Sequence, residues 1–466
     1  MQRIRCHIEV PDAWRALVRY GVHMLFLPYR AEVVEVSADS DGKTLDVYYG
    51  PDAEAASQAR IGVVFRTATW EWFERRSSVF PRHRFVRVED ARIPVCFDAA
   101  GSFSFDPVAM TAFLMSGWQE VISRTRDEHG RFPHTASFQH ETDSLDIPIV
   151  DWMRHIVSDA LKAAGGELEQ KMFGNASWAF CATHDIDYMR KWRPGIWKRE
   201  FLDRALLNRE KETMAKRLTR ARRAAMSFFE SGDPFQAALT RIPAELEGRR
   251  ARGTFFYKAG AHGFRDVDYA IAGSTARLHM MRQIQQGHEV GLHPSYHAFA
   301  HVDRLTEERD RLSGASGQQT STHRAHYLRF DHPRSIHLLQ AAGFKVDSTL
   351  GWAGATGFRF GTCLPFPLFD PISGTETGLW EVPLIAMESA LFNRLHRSAD
   401  EAIADTLALM DTCAAFGGVF TGLWHNTLWD EADYPGWGRH FEETLRAASE
   451  RGAQMDTLSA TLESWS

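Results

Sequence analysis

Cysteine is scarce in this 466-residue chain: there are five, an odd number, scattered as Cys6, Cys96, Cys181, Cys363 and Cys413 with no C-x-x-C pair. That excludes a disulfide framework and suits free thiols in a reducing compartment. No run approaches the roughly 18 consecutive apolar residues that a membrane-spanning helix needs, so none is expected. The opening Met-Gln-Arg-Ile-Arg-Cys-His lacks the apolar centre of a secretion signal, and a cytoplasmic location is the expectation. A basic excess is missing too. The formal charge of −6 argues against a general nucleic-acid binder. What is present is an ordinary globular balance, 44% hydrophobic and 24% charged, over a length that calls for two or three domains. Fourteen tryptophans and 31 phenylalanines read first as large cores, and second as aromatic walls for a sugar or another flat ligand.

Residues 1–150 form the first expected domain, small and α/β or mostly β. Val33–Val36, Thr44–Tyr49 and Ile61–Phe65 have strand character between Asp-Gly and Gly-Pro-Asp turns. Helices are expected over Ala13–Val22 and from Asp106-Pro107 to Gln119, with the polar stretch Ser123–Thr142 a connection. A further periodic helix over Ile147–Ala164 stops at Gly165-Gly166. In residues 151–466 strands and helices alternate: strands at Trp178–Thr183, Thr254–Tyr257, Glu289–Leu292, Lys345–Asp347, Gly418–Leu423 and Gln454–Leu458, with helices at Ala276–Gln286, Pro333–Ala342, Ala399–Phe416 and Arg439–Glu450. Repeated β-then-α units predict a parallel sheet, and the length favours a (β/α) barrel. A long excursion, about 190–250, interrupts the first two of these strands. Its basic part, 190–223, carries apolar residues at helical spacing (Phe201, Leu202, Ala205, Leu206) and reads as a solvated helical insertion, or as a lid or docking surface for an anionic carrier or a membrane face.

The chemistry-bearing residues fall where strands end. Asp185 and Asp187 close one hydrophobic strand, and residues two apart point the same way. Two carboxylates on one side repel unless a cation lies between them or one is protonated; capping of a following helix is the plainer alternative. His293 and His297 stand four apart in Gly287-His288-Glu289-Val290-Gly291-Leu292-His293-Pro294-Ser295-Tyr296-His297, a spacing that can bring two imidazoles to one cation. Among 21 histidines some pairs fall so by chance. An Asp-His-His set leaves coordination positions open and the other carboxylate free as a base. His425 follows another apolar strand, between Trp424 and Trp429. Glu381 can reach the same cleft, while His288 and Glu289 read as structural.

From about Phe173 onward the chain resembles the polysaccharide deacetylase family, carbohydrate esterases that share the NodB homology domain. Thr183-His184-Asp185-Ile186-Asp187 is similar to its Thr-Phe-Asp-Asp-Gly motif, and Gly287–His297 to its Gly-His-Glu-x-Gly…His-x-x-x-His motif. Arg324-Ala325-His326-Tyr327 resembles Arg-x-Pro-Tyr, Asp347…Trp352 the Asp-and-Trp motif, and Leu423-Trp424-His425 the Leu-x-His motif. The resemblance implies a distorted (β/α)7-type barrel preceded by an extra N-terminal domain, and metal-dependent removal of an acetyl group. It further implies metal ligands Asp187, His293 and His297, with Asp185 as general base and Arg324 orienting that base. His425 would be the general acid, the backbone N–H of Tyr327 an oxyanion donor, and Asp347 the residue keeping Arg324 or His425 charged and aligned. Three departures stand out. Ile186 separates the two aspartates, which leaves open which is base and which ligand; His326 replaces a proline; and Asn426 follows the acid where aspartate is common.

The expected activity is therefore removal of an N-acetyl, less favourably O-acetyl, group from a bacterial cell-surface polysaccharide or its precursor. The metal would be Zn2+, with Co2+ or Ni2+ as alternatives. A cytoplasmic location favours a nucleotide- or lipid-linked sugar as substrate. Two other expectations stand beside it: hydrolysis of a C–N bond in a small cyclic amide on the same fold, and a non-catalytic glycan-binding module. A retained base and acid speak against the last.

Overall fold

Alternation of polar and apolar residues in Gln2–Ile8 buries Ile4, Cys6 and Ile8 and makes this segment a strand, β1, of the computed structural model, which describes residues 2–37, 44–193, 213–260, 265–266 and 269–466. Beside it lie β2 (Ala31–Glu35), β3 (Val47–Gly50) and β4 (Ile61–Phe65), all parallel, and the short β7 (Ala99–Gly101), antiparallel, in the order β2-β1-β3-β4-β7. β5 (Arg84–Val88) and β6 (Ala91–Val95) form a separate antiparallel hairpin. The first unit is thus α/β. Its helix Pro107–Met115 is buried at every position, as a helix apolar all round must be. Asp106 starts that helix by accepting the Ala109 N–H at 2.8 Å; burial raises its pKa to about 6 despite that bond and one from Tyr49.

A ten-stranded sheet organises the rest. Its path is β13 (Phe366–Asp370), β14 (Thr375–Glu381), β12 (Val346–Asp347), β11 (Thr322–His323), β10 (Glu289–Leu292), β9 (Gly253–Tyr257), β8 (Ala179–Ile186), β16 (Val419–Leu423) and β15 (Ala386–Met387), with β17 (Gln454–Met455) also pairing with β8. Every ladder is parallel except β13 with β14. Among the described residues no ladder joins β15 to β13, the two ends of this path, so hydrogen bonds do not close the sheet into a ring. The fully buried β8 is the hub, flanked by β9, β16 and β17.

The two units share one core. The helix Asp12–Phe26 sets Tyr20 on Phe369 of β13, ring centroids 4.4 Å apart, and the Tyr20 hydroxyl donates to the Pro367 carbonyl at 3.0 Å. Arg359 grips Glu120 with two bonds of 2.8 Å, both side chains buried. The helix Ile149–Ala163, which straddles residue 150, packs on the helices of the first unit, while its Asp151 accepts from Thr362 and the Cys363 N–H at 2.8 and 2.9 Å. A single apolar cluster runs from Ile4 to Met455 across both sheets.

Between β8 and β9 the basic excursion contains helices Met214–Ser231 and Pro234–Glu247. Phe201, Leu202, Ala205 and Leu206 lie outside the described residues. The entrance of the excursion is fixed: Lys191, buried, is ion-paired with Asp430 and, at 3.4 Å, with Asp433, and Arg220 reaches Asp433 at 3.8 Å.

Candidate active site

Parallel strands deliver their C-terminal residues to one edge of the sheet. β8 presents Asp185 and Asp187 there, β10 His293, β11 Arg324, and β16 His425. Together with His326 and Tyr327 of the next turn these residues surround a pocket of about 390 Å3, except Arg324, which stays beneath it, fully buried.

Asp187 is the centre of charge. Its Oδ1 lies 3.4 Å from His293 Nε2 and 3.4 Å from His326 Nε2, and its Oδ2 lies 3.8 Å from His425 Nε2. Burial pushes its pKa up, but the three imidazoles, His293 foremost, outweigh that and hold the carboxyl well below the usual carboxylate range. One donor atom each from Asp187, His293 and His326 lie within 4.8 Å of one another. The outer nitrogen of each imidazole is engaged: His293 Nδ1 with the Arg324 carbonyl at 2.8 Å, and His326 Nδ1 with Asp266 Oδ1 at 3.2 Å. That arrangement fixes the tautomer and leaves both Nε2 atoms turned inward, the form in which histidine holds a metal. Among the described residues nothing makes a hydrogen bond to Asp187 Oδ1, although this atom is buried. One carboxylate oxygen and two imidazole nitrogens fit a zinc-like divalent ion.

Asp185 is 2% exposed, and Arg324 lies 3.8 Å from its Oδ1. The guanidinium is itself held by Thr183 Oγ1 at 2.9 Å and Ser348 Oγ at 2.8 Å, over the ring of Phe256. His425 Nδ1 donates to Glu388 Oε1 at 2.5 Å, and the same oxygen accepts the His425 N–H at 3.2 Å. Burial alone would lower the pKa of His425; the Glu388 carboxylate, helped by Asp187 and Asp185, reverses this and raises it to about 10.

One expectation requires correction, and one of the two roles offered for Asp347 falls with it. His297 does not join His293: it is exposed, its ring against Tyr296, and His326 stands in its place. Spacing of four aligns side chains only on a helix, and 293–297 is irregular chain. There Glu308 takes the N–H and hydroxyl of Ser295, and Asp266 takes the Tyr296 N–H at 2.9 Å, which turns the next side chain outward. Asp347 has no bond to His425. Its Oδ1 accepts from His323 Nδ1 and Thr349 Oγ1, both at 2.7 Å. Its neighbour Glu381 is pushed well above the usual carboxyl range, by burial first and by Asp347 second. Asp347 therefore acts on Arg324 only through its field.

Five residues of the site were not marked as functional by the sequence. His326 stood out only as a departure from a motif. Glu388 follows β15, and the strand-end rule that singles out Asp185 and His425 would have found it had so short a strand been recognised. Asp266 lies in aperiodic chain with no signal. His129 and Arg131 line the pocket from the stretch expected to be a connection.

Residues 58–165 match the model of a family of unknown function (DUF7033). No curated protein matches the chain. Among solved structures the chain is similar to a Mycobacterium smegmatis protein assigned as a polysaccharide deacetylase, with 18% identity, 62% of this chain and 89% of that one covered, and a TM-score of 0.41. It is similar to the peptidoglycan deacetylase PdaC of Bacillus subtilis at 12% identity, covering 62% and 91%, TM-score 0.31. It is also similar to a CE4-family pseudoenzyme of Bacillus anthracis at 9% identity, covering 63% and 67%, TM-score 0.32.

Proposed function

We propose that the pocket is the active site of a divalent-metal-dependent hydrolase that removes an N-acetyl, less favourably an O-acetyl, group from a bacterial cell-surface polysaccharide or its precursor. The observation that supports this most is the convergence on one pocket of three kinds of group: the Asp187–His293–His326 trio, Asp185 beside Arg324, and His425 on Glu388.

Asp187, His293 and His326 would hold the ion, zinc in preference to cobalt or nickel. When bound, such an ion acts as a Lewis acid and lowers the pKa of water. Asp185 removes the proton of the attacking water, and Arg324, 3.8 Å from its Oδ1, aims that carboxylate. The Tyr327 N–H donates to the carbonyl oxygen as it gains negative charge. His425, kept protonated by Glu388, delivers its Nε2 proton to the departing amine. Asp185 and His425 thus take the two opposite roles, base and acid, within one pocket.

The pocket shares Arg131, Leu328, Ala353 and Arg394 with an adjoining cavity of about 680 Å3, an arrangement suited to a substrate longer than one sugar ring. The scarcity of aromatic rings favours a second reading: Tyr327 is the one phenyl-type ring lining the pocket among the described residues, and a small cyclic amide needs no stacking wall. A cytoplasmic location, which we propose on the sequence alone, would make the substrate a nucleotide- or lipid-linked intermediate.

Metal analysis of the purified chain, with acetate release from N- and O-acetylated sugars and ring opening of cyclic amides measured in parallel, tests these readings. Acetate release only with metal is expected. Asp185→Asn should abolish turnover and keep the metal. Loss of metal in that variant would exchange the roles of the two aspartates, and a wild type without metal affinity would end the hydrolase reading.

A further inference from the structure

Tyr327 and Leu328 both have left-handed backbone, φ 61° and 52°, although neither is glycine. A residue with a side chain is strained in that conformation, so contacts from outside must hold the turn. This turn carries His326 on one side and the Tyr327 amide on the other. The contact comes from the first unit: Arg131 Nη1 donates to the Tyr327 carbonyl at 2.6 Å. Arg131 is itself locked in a five-residue loop, its Nε on Asp127 Oδ2 at 2.7 Å and its N–H on Asp127 Oδ1 at 3.0 Å, while Asp127 also takes the His129 N–H at 2.9 Å. The same loop reaches the other ligand-bearing segment. His129 Nδ1 meets the Tyr296 hydroxyl at 3.0 Å, its ring lies 4.6 Å from that of Tyr327, and Arg329 ties the His129 and Tyr296 carbonyls together at 2.9 and 2.6 Å.

We propose that the loop Asp127–Arg131, within the region that matches a family of unknown function, is part of the active site, and that Arg131 is a positioning residue holding the 326–328 turn and the 293–297 segment in the geometry that binds metal. This rests on the metal-hydrolase reading. A mere staple between the two units would have no reason to bind at these two segments, because Tyr20 on Phe369 and Asp151 on 362–363 already join the units elsewhere. Arg131 instead bonds the backbone at the strained residue and shares its loop with a ring packed on both segments.

Titration of the full-length chain with Zn2+ against a competing chelator, alongside thermal unfolding, tests this. Arg131→Ala should weaken zinc affinity roughly 10- to 100-fold, the range for outer-sphere supports of metal ligands. Arg131→Lys, which can still donate once to the Tyr327 carbonyl, should recover part of it. Asp151→Asn, which loosens the joint between units away from the pocket, should lower the melting temperature and leave zinc affinity unchanged. If Arg131→Ala does not fold, Asp127→Asn, which unlocks Arg131 without removing it, is read in the same way. Wild-type zinc affinity in both Arg131→Ala and Asp127→Asn would overturn the proposal and leave the loop a staple. A wild type that binds no zinc would overturn the metal reading itself, and the positioning role with it.

Discussion

At the scale of single residues, His326 and His297 are exchanged relative to what spacing implies, and the difference is measurable. His326→Ala removes an inward-facing Nε2 from the trio and is expected to lower zinc affinity by well over tenfold. His297→Ala, at an exposed position, should leave it unchanged; equilibrium titration of the two variants decides. The Glu388–His425 pair gives a pH signature. A histidine whose pKa is raised to about 10 keeps its proton below that value and loses it above, so the rate should fall on the alkaline side near pH 10. Glu388→Gln removes the carboxylate that holds the proton. The alkaline limb of the kcat/KM profile should then move down toward the ordinary histidine range of about 6.5, and kcat at neutral pH should drop by roughly 10- to 100-fold. Asp185, Asp187, His293 and His425 were legible because each follows an apolar strand, whereas Arg324, after the two-residue Thr322–His323, showed only through its likeness to a family motif. His326 and Glu388 were not, because a turn and a two-residue strand carry no period.

At the scale of elements, the long strands and helices with a clean apolar repeat announce themselves, and several of the others escape for physical reasons. The helix Val302–Ser316 was missed because its inward stripe, Leu305, Glu308, Leu312 and Ala315, contains a buried carboxylate where an apolar residue would have shown the repeat. That carboxylate is committed to Ser295. Glu308→Ala leaves a buried donor unsatisfied and should cost about 1–3 kcal/mol in chemical denaturation, with weaker zinc binding because the segment after His293 loses its anchor. Glu308→Gln, which keeps an acceptor for the Ser295 hydroxyl, should cost less. β1 was missed for a weaker reason: its alternation is present but spread over positions that are only half buried on the outer side. The antiparallel β13–β14 pair breaks the β-then-α rhythm from which the rest of the sheet was inferred.

At the scale of the whole molecule, the expectation of an accessory domain beside a self-contained barrel meets a continuous core. Removal of the first unit would bare the face of β13 that receives Tyr20 and would strand Arg359 without Glu120, and breaking a buried ion pair alone costs about 3–5 kcal/mol. A fragment spanning 167–466 is therefore expected to be insoluble or molten, and the intact chain to unfold in one calorimetric transition. Two separated transitions would contradict the shared core. The joint was illegible in the sequence because Arg359 and Glu120 are 239 positions apart and neither stands in a pattern.

The central position of β8 also bears on how the molecule is made. Asp185 and Asp187 leave the ribosome well before their partners: two of the three strands flanking β8 span 419–423 and 454–455, and His425 arrives with the first of these. A nascent chain halted anywhere before about residue 425 holds both carboxylates without their acid and with the hub strand half paired. The candidate site is thereby incomplete until residues 419–455 have been made, and a chain halted before them offers a bare strand edge instead.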